Sequence, residues 1–290
     1  MTARTPKTSE IEVQRYITTG EHDPLHAAWA GRNLLAQAQA GDHGLRATLI
    51  EEVRRLTAGR ECPSLPPGFD TGQFVLGKVG PMVRGLFPAK EQPVLLDLFA
   101  QSLVFVTRED IEKLLGEIQY LFTAWQIANL YLGSLHLPGL DGQPVELVGL
   151  SEATTFYVSM AYFRDGDPFA DWVVHEAAHV FHNWKRSRAG LPHAGTREWL
   201  LDVAFAKREV FAYACEAYAR ILERAPSPAE RRRLHAGYAQ KWGPVAEGLD
   251  RAELVDVLAE AVRARNGWKR ILGRCSPESS AASKPSAERV

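Results

Sequence analysis

The chain has 290 residues, 34 Lys and Arg against 35 Asp and Glu, a net charge of −1 and 46% hydrophobic residues. That length allows one large domain or two small ones with a real core, and the near-neutral balance argues against a general nucleic-acid binder. The one basic run, Glu230-Arg-Arg-Arg-Leu234, reads as a solvated helix face. No run reaches transmembrane length and Met1 to Glu10 lacks the apolar centre of a secretory signal, so a cytoplasmic protein with no membrane partner is expected. Cys62, Cys215 and Cys275 lack the paired spacing of a zinc ribbon and read as reduced thiols, with Cys215 a buried structural one.

In chain order, residues 1–22 read as a flexible start, and residues 23–40 and 42–58 as helices joined by a Gly-Asp link. Residues 61–93 are rich in Pro and Gly and predict an irregular connection; Gly77-Lys-Val-Gly80 within them lacks the spacing and the terminal Ser or Thr of a P-loop. Thr107-Arg-Glu-Asp110 predicts the cap of a long apolar helix reaching about Gly133. Together residues 23–140 form a helical N-terminal region. The Pro- and Gly-rich stretch Leu137 to Pro144 then breaks the chain before a second region, residues 141–275. There Thr154 to Phe163, rich in β-branched and aromatic residues, predicts a strand that could pair with an extended peptide or lie buried in a small sheet. Asp167-Pro168 predicts the start of a helix through Trp184, and Thr196 to Arg224 a second, mostly apolar helix. Ser227-Pro-Ala-Glu230 and Asp250-Arg-Ala-Glu253 are capping-box patterns for two more helices. Residues 276–290 carry no aromatics and read as a disordered tail. The fold class expected from these elements is α+β, predominantly helical, with a small sheet.

The first of those two helices contains His175-Glu176-Ala177-Ala178-His179. Residues four apart share a helical face, so both imidazoles can reach one metal ion while the carboxylate beside them can take a proton from water. Phe169, Trp172, Val173, Val174, Ala177, Val180, Phe181 and Trp184 leave the helix almost no polar face, which predicts burial. Two His and a Glu in a buried helix need partners: either they are hydrogen-bonded core residues, or a zinc ion accounts for all three. His182 stands about 10 Å of helical rise from His175, too far for both to bind one ion, and is expected at a helix-end hydrogen bond or in the cleft lining.

A catalytic zinc commonly takes three protein ligands, so one must come from elsewhere. Asp202, Glu209 and Glu216 stand at seven-residue intervals in the following helical run and share a face there. Glu216 has Arg220 four residues on, an ordinary helical ion pair; Glu209 has no basic residue three or four positions away, and a buried carboxylate without a partner is costly. The expected ligand is therefore Glu209, then Glu216, then Asp202, with the unused ones as acceptors for the ligand imidazoles.

On these residues the chain resembles the zincin metallopeptidases, and their gluzincin branch in particular. His175-Glu-Ala-Ala-His179 matches the signature helix, and Arg208-Glu209-Val-Phe-Ala212 is similar to the segment that supplies the third ligand. The match spans about Thr154 to Arg220. It implies Zn2+ on His175, His179 and Glu209, Glu176 as general base, and a peptide or protein substrate. Tyr213 stands where that branch often has an acidic residue, and Lys185 where the metzincin extension has Gly. A phage-repressor-type regulatory peptidase is a similar arrangement.

The chemistry expected is hydrolysis by a water that zinc acidifies, with Glu176 accepting its proton and Tyr213, Tyr218, His182 or His235 as candidate donors to the oxyanion. The alternatives are a regulatory or structural protein in which zinc or hydrogen bonds staple two buried helices, and a zinc hydrolase of a non-peptide amide or ester. A fourth protein ligand such as Cys215 would favour the staple.

Overall fold

The structure is a computed structural model that describes residues 8–164, 166–192, 197–240 and 249–277. In chain order the elements are α1 (Thr8–Thr19), α2 (Leu34–Thr57), α3 (Thr71–Leu86), α4 (Gln92–Ala100), β1 (Leu103–Val106), α5 (Ile111–Glu117) and α6 (Leu121–Ser134). Then come β2 (Gly149–Glu152), β3 (Thr155–Ser159), a 3-10 turn (Met160–Arg164), α7 (Trp172–Asn183), α8 (Arg208–Arg224), α9 (Pro228–Gln240), α10 (Arg251–Arg263) and α11 (Gly267–Cys275). The fold is α+β and predominantly helical around one small sheet. Among the described residues no helix is long and apolar enough to cross a membrane.

The sheet has the order β1-β3-β2, with β3 parallel to β1 and antiparallel to β2. Successive side chains of β3 point to opposite faces, and this divides the interior. Phe156 and Val158 join a large core with α3, α4, α7, α8, α10 and α11; Tyr157 and Leu150 join a smaller one with α1, α2, α5 and α6. The boundary expected near residue 140 does not separate two packing units. β1, before it, pairs with β3, after it, and α3 and α4 pack in the core of the C-terminal helices.

Several expectations are corrected by tertiary contacts. The start is not flexible from residue 8 on: α1 is anchored by the fully buried Tyr16, whose hydroxyl donates to the Leu121 carbonyl at 2.7 Å. Residues 1–7 and 278–290, most of the expected tail, lie outside the described residues. One helix, α2, capped by Asn33, replaces the expected pair across Gly41-Asp42. The Pro- and Gly-rich stretch holds α3, because Asp70 caps it and Val75, Val79, Met82, Val83 and Leu86 are buried along one face, enough to carry Pro81 within the helix. The helix expected from residue 107 to 133 is broken into α5 and α6, and the buried Arg46 of α2 donates to the carbonyls of Leu115 and Gln119 at that break.

Two differences bear on the site. α7 starts at Trp172 with Asp171 as its N-cap, while Asp167 accepts the Phe169 N–H in a preceding turn. The helix expected from Thr196 begins only at Arg208. Before it, Leu200 and Leu201 donate their N–H groups to the carbonyls of Trp184 and Phe181 at 2.9 and 2.8 Å, so their burial needs no helix. This return along the end of α7 sets where α8 begins. Arg186, fully buried, holds the same corner through a bidentate pair with Glu91. Of the two capping boxes, Ser227 and Glu230 bond reciprocally; Asp250 caps α10, but the Glu253 carboxylate goes to Lys207 instead.

Candidate metal centre

α7 and α8 lie against each other with β2 beside α7. His175, Glu176, His182 and Glu216 are buried, His179 is half-buried, and the Glu209 side chain is 52% exposed. The Nε2 atoms of His175 and His179 are 3.1 Å apart, and the Glu209 carboxylate lies 3.9 Å from the first and 3.7 Å from the second. Those two distances run to different oxygens of the one carboxylate, Oε2 and Oε1; the edge of a tetrahedron around zinc with N and O ligands at about 2.0–2.1 Å is about 3.4 Å, so the nitrogen pair and the Glu209 carboxylate lie near that spacing. Among the described residues these three form the group able to hold a metal.

Both imidazoles have fixed tautomers, as assigned from their partners. Nδ1 of His175 donates to Glu216 Oε2 at 3.1 Å. On the other ring Arg208 Nη1 donates to Asn183 Oδ1 at 3.3 Å, and His182 Nδ1 donates to the same oxygen at 3.1 Å. His182 Nε2 is thereby left to accept from His179 Nδ1 at 3.1 Å. Each chain leaves an Nε2 facing the other across 3.1 Å, a contact that a shared proton or a cation must bridge. Burial, then the nearby His175, His182 and Arg208 charges, pushes the His179 pKa down to about 2. Burial also opposes charge on His175, but the hydrogen bond and charge of Glu216, with Glu176 and Glu209 behind, raise its pKa on balance.

Glu216 itself is held by a second bond: its Oε1 accepts the Asp171 N–H at 2.7 Å. Asp171, almost fully buried, caps α7 through Oδ1, which also accepts from the Tyr162 hydroxyl at 3.2 Å, and its Oδ2 lies 2.9 Å from Lys78 Nζ. Lys78 of α3 thus ties the start of the motif helix to α8. The expected ion pair of Glu216 with Arg220 is absent, because Arg220 bonds Glu223 at 2.6 Å instead. Burial raises the Glu176 pKa, with the His175 charge and a hydrogen bond from Ser151 opposing it. Gly149 of β2 makes room for this carboxylate: a Cβ there would stand 3.1 Å from Glu176 Cγ and 3.2 Å from Oε1.

The other sequence candidates divide. Tyr213 is half-buried with its ring 4.6 Å from that of His175, and burial followed by the charges of Glu216, Glu209 and Glu176 lifts its pKa to about 12. His182 lines the cluster as the partner of His179. Asp202 is not on a face shared with Glu209 and Glu216; it precedes α8 and lies 3.7 Å from Arg197. Tyr218 is turned toward Trp268, with ring centroids 4.8 Å apart, and His235 of α9 bonds the Val255 carbonyl at 3.0 Å, so neither belongs to the cluster. Cys215 is fully buried and its thiol is raised well above its usual range by burial, then by Cys275; it is not among the grouped ligands. Asp171, Lys78, Asn183, Arg208, Ser151 and Gly149 were not singled out for these roles by the sequence. A polar residue directly after His182 and a Gly at the start of β2 were their only local signals.

Compared with protein-family models, with curated proteins and with solved structures, the chain matches none of them.

Proposed function

We propose that the protein is a zinc-dependent hydrolase of peptide bonds, with a zincin-like arrangement of α7 and α8 around the metal. The observation that carries this reading is the pair of Nε2 atoms 3.1 Å apart with the Glu209 carboxylate beside both and Glu176 next to His175 on the same helix. His175, His179 and Glu209 would hold the ion. When bound, zinc supplies a Lewis acid and makes a water nucleophilic near neutral pH.

The chain's own groups supply the rest. Glu176, held by β2 in a site that raises its proton affinity, takes a proton on a carboxylate oxygen and returns it to the leaving amine. Glu216 and the His182-Asn183 pair keep the protons of the two ligand rings on Nδ1, leaving Nε2 to the metal. Tyr213 is the one tyrosine of the earlier candidates beside His175, and its raised pKa keeps a proton available for a developing oxyanion.

The strand expected to pair with substrate is not β3, whose two sides are taken by β1 and β2. β2 is the edge strand next to Glu176. Its Val148-to-Ser159 bond at 2.8 Å sets an alternation in which the main-chain groups of Gly149 and Ser151 face away from β3, where an extended peptide can add. The free thiols of Cys62, Cys215 and Cys275 support action in a reducing compartment, the cytoplasm.

The experiment is metal analysis of the purified protein with a peptide-cleavage assay. About one zinc per chain, kept in Glu176→Gln while cleavage is lost, is the expected result. Cleavage that survives Glu176→Gln overturns the assignment.

A further inference from the structure

The rim of the cluster carries a cation that the hydrolytic reading does not use. Arg208 precedes Glu209 on the first turn of α8. Its bond to Asn183 Oδ1 engages one Nη1 proton. Among the described residues it forms no ion pair, and its Nε is buried without an acceptor. The guanidinium stands 5.2 Å over the ring of Phe205, which is 83% exposed, the most exposed large apolar side chain described. The Nε is closed to solvent, so it is the Nη protons beyond the Asn183 bond that, backed by an open aromatic face, match a carboxylate attached to an apolar group.

Resting on the peptidase reading, we propose that Arg208 and Phe205 form a substrate subsite that receives a carboxylate. A peptide presents that group at its C-terminus or on Asp and Glu side chains, and the two sources differ in where cleavage falls. Arg54 and Arg55 are committed to Glu112 and Glu52, and Arg188, which lies 5.5 Å over the Trp184 ring, does not adjoin a proposed ligand. Among the described residues Arg208 alone combines unpaired Nη protons, an aromatic backing and sequence adjacency to a proposed ligand.

The test uses zinc-loaded wild type and Arg208→Gln with a mixed peptide library in two forms, native and with every carboxyl converted to a carboxamide, cleavage being read by mass spectrometry. Wild type should cut the native library about tenfold faster or more, the scale of one charged hydrogen bond, and Arg208→Gln should cut both alike at unchanged zinc content. Cuts at a fixed distance from the C-terminus assign the terminal carboxylate; cuts beside Asp or Glu assign the side chain. Equal cleavage of the two libraries by wild type, or a preference that survives Arg208→Gln, overturns the proposal. Loss of zinc in Arg208→Gln also overturns it, reducing the residue to a prop for Asn183. A second arm follows N-acetylphenylalanine and its carboxamide by NMR on the metal-free protein. Tighter binding of the carboxylate, abolished in Arg208→Gln and Phe205→Ala, upholds the subsite even if neither library is cut, an outcome that would sink the peptidase reading instead; no difference between the two probes counts against it.

Discussion

The two cores of the molecule treat their buried polar groups differently. In the smaller core the partners are mostly backbone carbonyls: Tyr16 donates to Leu121, Trp125 Nε1 to Ile17, and Arg46 to Leu115 and Gln119 with Asp42 alongside. Each of these contacts ends where it begins, tying one helix to another. In the larger core His175, His179, His182 and Glu216 are satisfied by one another, and both chains of bonds end on Nε2 atoms that meet only each other, 3.1 Å apart, at the cluster. A polar group closed on backbone stabilises; side chains that converge and stay open mark a site.

The comparison breaks most visibly at the open end. His179→Ala, and separately Glu209→Gln, should reduce zinc from about one per chain to little or none in metal analysis, because two protein ligands do not hold the ion against chelation. If Glu216→Gln loses the metal while Glu209→Gln keeps it, the triangle is wrongly drawn. Next in size, Glu176→Gln should lower cleavage by about 10²–10⁴-fold with zinc retained, the span of general acid–base catalysis, measured as kcat on any peptide the wild type cuts.

Glu216→Gln should weaken zinc by about 10–100-fold in competition with a chelator, since the second partner of a ligand His orients it without touching the metal. In the closed core, Arg46→Met should instead cost about 1–3 kcal/mol in urea unfolding by stranding carbonyls, and leave zinc affinity unchanged. A change in both would show that the cores are not independent. The smallest effect is expected from Gly149→Ala: the new methyl displaces Glu176 by a few tenths of an ångström, lowering kcat severalfold with no loss of metal.

How much of this was legible in sequence depends on how local the cause is. The motif helix is written in its own residues, and His175, Glu176 and His179 stand where their spacing puts them. Glu209 arrives at the cluster by a route the sequence does not state. The sequence reads it as an unpaired carboxylate on a buried helix, yet its side chain is half-exposed on the first turn of α8, brought there by the return of the chain along the end of α7 through Leu200 and Leu201. Glu216, with Arg220 four residues on, reads locally as an ordinary ion pair; only the fold shows that Arg220 turns to Glu223 and leaves Glu216 for His175. β1 and β2 are four-residue strands that pairing with β3 defines, and α3 survives Pro81 because its apolar face is buried; neither cause is visible within the segment.

On the proposed function, two imidazole nitrogens and the Glu209 carboxylate hold a zinc ion with a position left open. X-ray absorption at the zinc edge of the dialysed, zinc-loaded protein tests it most directly. The expected result is about one zinc per chain in a nitrogen and oxygen shell near 2.0–2.1 Å with no sulfur, and in Glu209→Gln the loss of that signal. A shell containing sulfur, or a protein that retains no zinc, would contradict it.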